Sequence, residues 1–150
     1  MSIDTDLSKL DDLIITTIDS IRGYERSADH AEAGRYAHFF RSMAGERRNV
    51  VARLQSASRA LGGTPAEYGS ATAAVHRRWE DLRQVLGGDD EALVVEVERG
   101  EAYLLEEFER ALDDGNISAP TRSLIEECHE SVRHGHDRAH MLKHQFEAAH

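Results

Sequence analysis

Five side chains in this sequence are of the types that hold transition metals inside helical proteins: Glu25, Glu46, Glu101, His129 and His136. The chemistry they suggest is a carboxylate-bridged dinuclear centre, with iron first among the metals. Such a centre takes one Glu from each of two helices and a Glu-x-x-His from each of two others. Glu101 frames the question. In "EVERGEAYLLEEF" (96–108), Val97, Leu104, Leu105 and Phe108 fall at i, i+7, i+8 and i+11, the stripe of a core-facing helix. Glu101 occupies the i+4 position, where an apolar residue belongs. A carboxylate aimed at a core must be paired, protonated or bound to a metal, because unpaired burial is too costly.

The remaining ligands fit the dinuclear pattern unevenly. Glu25 lies about 50° from the centre of its apolar face at 100° per residue, at the margin of the core. His136 borders the inner face of its helix, and His129 sits one heptad earlier on the same edge. Glu46-Arg-Arg-Asn49 has Asn where a Glu-x-x-His would have His, and the literal match Glu126-Glu-Cys-His129 has its Glu turned away from the apolar stripe. The bundle also supplies a counter-charge. Met43, Val50, Val51 and Leu54 repeat the spacing of Val97, Leu104, Leu105 and Phe108, and the odd member of that set is Arg47. Two helices thus place opposite charges at matching points of their inner stripes. A structural ion pair between Arg47 and Glu101 satisfies both, and its positive member is hostile to a metal cluster.

His136, His140 and His144 are spaced i, i+4, i+8. Adjacent pairs of them have the spacing to chelate Zn, Ni or Cu through imidazole. The plainer alternative is a solvated flank whose protonated rings suit the negative end of the helix dipole. Cys128 lies on an apolar stripe and reads as a small core residue. No motif for nucleophilic catalysis and no phosphate-binding glycine loop is present, and both "LGG" strings follow helices as C-caps.

The elements that position these residues are helices. The first amphipathic segment runs from about Thr5 to Ala31, with Leu10, Leu13, Ile14, Thr17, Ile18 and Ile21 inward. The second runs from about Arg35 to Leu61, with Phe39, Met43, Val50, Leu54 and Ala57 inward, and stops at "GGTP". A shorter segment, Ser70 to Leu86, carries Val75, Trp79, Leu82 and Leu86 on one side and ends at Gly87 and Gly88. Asp89 and Asp90 then suit the start of a third long helix, which closes at "DDGN". The last helix opens near Pro120, with Leu124, Cys128, Val132, Gly135, Ala139, Leu142 and Phe146 inward.

Four long helices and a short one in a long middle connection predict an all-α, ferritin-like four-helix bundle, a single domain over residues 1–150. The short helix lies in the crossover between the second and third long helices. The net charge of −10 argues against nucleic acid and anionic membrane surfaces and favours cations. A lone cysteine, an acidic polar N-terminus and the lack of a long apolar run predict a cytoplasmic protein.

The strings "RGYERSA" (22–28), "ERRNVVARLQ" (46–55), "LGGTP", "HRRWEDL" (76–82), "ERGEAYLLEEFERAL" (98–112) and "HDRAHML" (136–142) occur in an order that resembles a bacterial family of ferritin-like four-helix bundles, catalogued as a domain of unknown function. The likeness spans about Leu7 to Leu142. It implies the bundle fold and a bacterial, cytoplasmic setting, and relatives in the wider superfamily oxidise or store iron. The expected function is a non-catalytic binding or assembly protein, forming a homo-oligomer and acting in stress physiology. The alternative is a di-iron-type oxidoreductase or metal store built on the Glu and His residues above.

Overall fold

The computed structural model describes residues 3–70 and 90–149, without the side chains of Phe146 and Ala149. The described residues form four long helices and no strand: α1 (Ile3–His30), α2 (Gly34–Ala60), α3 (Asp90–Asp113) and α4 (Ala119–Ala149). The expected short helix, with Val75, Trp79, Leu82, Leu86 and the Gly87–Gly88 break, lies outside the described residues, as do Asp89 and the Phe146 side chain.

Each helix owes its stability to a seam of inward residues spaced alternately by three and four, the repeat of left-handed bundles. On α4 the seam reads Thr121, Ile125, Cys128, Val132, Gly135, Ala139, all buried. On α2 it reads Tyr36, Phe40, Met43, Arg47, Val50, Leu54. Two expected core positions shift by one residue. Phe40, not Phe39, is fully buried, while Phe39 is half-buried against the Phe40 ring with the Arg138 guanidinium over its outer face. Ile125 likewise takes the place expected for Leu124, which only borders the core. In both cases the neighbouring residue continues the three–four spacing and the expected one falls on the flank.

The helix ends carry their own chemistry. Gly62, at φ 85°, closes α2 in a Schellman turn: its N–H donates to the Arg59 carbonyl, and the Gly63 N–H to the Ser58 carbonyl, each at 2.9 Å. Asp90 accepts the backbone N–H groups of Glu32 (2.8 Å) and Ala33 (3.1 Å), so the start of α3 caps the entry to α2. Asp6, buried near the start of α1, accepts the Ser118 N–H at 2.9 Å and the Thr121 hydroxyl at 2.8 Å, holding the first turn of α4.

These bonds also fix the sense of each helix. α1 packs most extensively on α2 and α3 on α4, with α1 also against α3 and α2 against α4. Asp90 at the α2 entry makes α2 and α3 parallel. Arg53–Glu127 and Arg138–Glu46 pairs make α2 and α4 antiparallel. The chain from α2 to α3 therefore joins opposite ends of a bundle about 40 Å long. Its first residues run back along α1, where the Ala66 N–H donates to Asp11 at 3.0 Å and the Ser70 N–H to Asp19 at 2.9 Å. One long connection in the middle and short turns at either end follow from this arrangement.

Candidate functional site

One layer of the bundle interior is polar, and each helix contributes one seam position to it: Tyr24, Arg47, Glu101 and Gly135. Arg47 and Glu101 are among the largest fully buried side chains of the protein. The Arg47 Nη2 donates to Glu101 Oε2, and the Tyr24 hydroxyl donates to Glu101 Oε1 at 2.6 Å. Both carboxylate oxygens are therefore occupied by donors from α1 and α2. The paired position on α4 is a gap. A Cβ at Gly135 would sit 2.9 Å from the Arg47 Cζ and 2.8 Å from the Met43 Cε, and closer still to the guanidinium nitrogen. Only glycine leaves the guanidinium its volume there.

The electrostatics of the layer are those of a buried cation with a single anion. The Nε and Nη1 of Arg47 have no hydrogen-bond partner among the described residues. Glu101 is its only ion-pair partner among the described residues. Burial, followed by the neighbouring Glu101 charge, holds the Tyr24 hydroxyl well above the usual phenol range, so it stays protonated and donates to the carboxylate.

Tyr24 escaped the sequence reading, although its signal was present: Leu10, Leu13, Thr17 and Ile21 continue to it at the same spacing. Glu25, one residue on, is turned outward. It is half-exposed and pairs with Arg48 at 2.7 Å, so it does not join the layer. Glu46 pairs with Arg138 at 2.6 Å near the α2–α4 surface. His136 is partly exposed, with its Nδ1 3.6 Å from Asp137. His129 is half-buried, its Nε2 without a partner among the described residues. Of the five candidate ligands, then, only Glu101 reaches the interior layer. Among the described residues no group of three or more His, Cys, Asp or Glu side chains is placed to hold a metal ion.

A dinuclear metal centre does not fit this layer. The place beside Glu101 where a first cation would sit is taken by the Arg47 guanidinium, and among the described residues no second carboxylate joins it, because Glu25 faces Arg48. Above the layer, between α1 and α3, a cleft of about 390 Å³ reaches down to Tyr24 and Glu101 and is edged by Asp19, Arg26, Arg99 and Tyr103. It opens beside Ser70, the last described residue before position 90. Cys128, on the α4 seam, is a buried free thiol whose pKa burial pushes up to about 11, which leaves it unreactive as a nucleophile.

No described helix is long and apolar enough to cross a membrane. Residues 5–114 match the family model described as "Domain of unknown function (DUF2383)". The match takes in α1 from Thr5 onward, all of α2 and α3, and the polar residues Tyr24, Arg47 and Glu101. No curated protein matches the chain.

Proposed function

The chain belongs to the family of the domain of unknown function DUF2383, and from that premise we propose that it is a ferritin-like bundle acting by binding or assembly, with no oxidase chemistry in its interior. The observation that carries this reading is Arg47. A guanidinium occupies the position a metal would need, and with Tyr24 it uses up both oxygens of the Glu101 carboxylate. The parallel sense of α2 and α3, joined by one long connection, supports the ferritin-like assignment. A single buried thiol and an acidic surface fit a reducing, cytoplasmic setting. A homo-oligomer is part of this reading, and light scattering on the purified protein tests it directly.

The decisive experiment is an anaerobic ferrous titration of metal-stripped protein, followed by oxygen, with Glu101→Gln alongside. The expected result is no stoichiometric uptake and no oxygen-dependent absorbance change. Two irons per chain, with uptake and absorbance change both lost in Glu101→Gln, would overturn the reading and make this a di-iron protein.

A further inference from the structure

Away from the interior layer, the outer face of α3 meets the last turns of α4, and there the histidine flank is built rather than scattered. The His140 Nδ1 lies 3.0 Å from the Glu98 Oε1 of α3 and donates its proton to it. The other oxygen of Glu98 accepts from Lys143 Nζ at 2.8 Å. Glu98 thus bridges the two α4 side chains, one carboxylate oxygen to each. In the tautomer whose proton this bond holds on Nδ1, the His140 ring presents an Nε2 lone pair. That lone pair faces the Nε2 of His144 at 3.0 Å, with the two rings edge to face at 4.5 Å between centroids.

We propose that His140 and His144 form a bidentate site for a tetragonal divalent ion, copper(II) or nickel(II), with Glu98 as the residue that orients His140. A carboxylate holding the far nitrogen of a ligating imidazole is the usual support of a metal-bound histidine, fixing its tautomer and raising its basicity. Rings that turn to an ion with this nitrogen separation kept give a bite angle that favours one geometry. Two nitrogens 3.0 Å apart, each about 2.1 Å from one ion, subtend about 90°. A tetrahedral site would need them about 3.4 Å apart at the same bond length. Square-planar and octahedral preferences belong to copper(II) and nickel(II), tetrahedral ones to zinc.

In the metal-free protein the His144 Nε2–H donates to His140. On binding, that proton moves to the His144 Nδ1, both Nε2 lone pairs turn to the ion, and water completes the coordination on the exposed side. His136 is not a third ligand. Its ring stacks parallel on His140 with centroids 6.4 Å apart, and its Nδ1 faces Asp137. Lys143, beside the site, has its charge taken up by Glu98.

The test is calorimetric titration with copper(II) chloride, nickel(II) chloride and zinc chloride, with electron paramagnetic resonance on the copper form. The expected result is one copper per chain with a tetragonal, two-nitrogen signature and zinc weaker than copper or nickel. Copper affinity should fall at least tenfold in His140→Ala and His144→Ala, stay unchanged in His136→Ala, and fall about 10–100-fold in Glu98→Gln. These side chains are exposed or near the surface, so circular dichroism should show all four variants folded. Copper affinity retained in the His140→Ala/His144→Ala double variant, or lost as fully in His136→Ala, overturns the assignment. Iron uptake at Glu101 is read out separately and bears only on the interior layer.

Discussion

Replacing Glu101 by glutamine removes one charge from the interior and almost nothing else. The glutamine carbonyl oxygen still accepts from Tyr24, and the shape is preserved. What changes is Arg47, whose guanidinium is buried to 0% exposure and has two nitrogens already without partners among the described residues. Stripped of its one anion, it becomes an uncompensated charge in a low-dielectric interior. Breaking a buried pair this way costs about 3–5 kcal/mol. At roughly 2–4 °C per kcal/mol for a chain of this size, the melting temperature falls on the order of 10 °C. Urea denaturation followed by far-ultraviolet circular dichroism measures the loss as a shift in midpoint at constant slope.

The double variant Arg47→Met/Glu101→Leu carries the other half of the reasoning. An apolar pair of similar volume avoids both desolvation costs, so the double variant, carried in a Tyr24→Phe background that leaves no phenol hydroxyl without its acceptor, should stand near the wild type or above it, by up to about 1–4 kcal/mol. A Glu101→Gln midpoint indistinguishable from wild type would refute the ion-pair account. So would a double variant whose loss equals the sum of the two single losses, because coupled residues should not add.

Gly135→Ala, which in an ordinary helix interior gains up to about 1 kcal/mol, should here cost about 1–3 kcal/mol by overpacking the guanidinium. That penalty should shrink or change sign in an Arg47→Met background, as thermal melts of the four proteins would show. Tyr24→Phe should cost about 1.5–3 kcal/mol, the worth of a hydrogen bond to a charged group. Because folding raises the Tyr24 pKa, its contribution is fully present below about pH 10 and is lost as pH rises toward the folded value. The wild type should therefore lose stability in alkali more steeply than Tyr24→Phe, a difference that denaturation midpoints at pH 8 to 11 would reveal. Cys128, with its thiol raised to about 11, should stay unmodified by a thiol reagent at neutral pH and react fully in denaturant, as mass spectrometry would record.

What the chain determines locally is legible in its letters. The apolar repeats locate the long helices, "GGTP" and "DDGN" end two of them, and the opposite charges of Arg47 and Glu101 at matching points of two stripes are visible before any fold is known. The long middle connection is likewise implied by the spacing of the breaks. Angular position within one helix is set by counting at 100° per residue.

The tertiary structure decides how each helix is turned against its neighbours, and that turning settles which residue of an adjacent pair is inside. Tyr24 enters the layer and Glu25 faces Arg48; Phe40 is buried and Phe39 lies under Arg138. A shift of one residue moves a side chain about 100° around the axis, from core to surface, and no single helix contains the information that chooses. The same holds for partners distant in sequence. Asp6 meets Ser118 and Thr121, Glu98 meets His140, and Arg47 needs the empty volume above Gly135. Each of these depends on helices packed at a particular depth and register, so each is a property of the assembled bundle and of no segment alone.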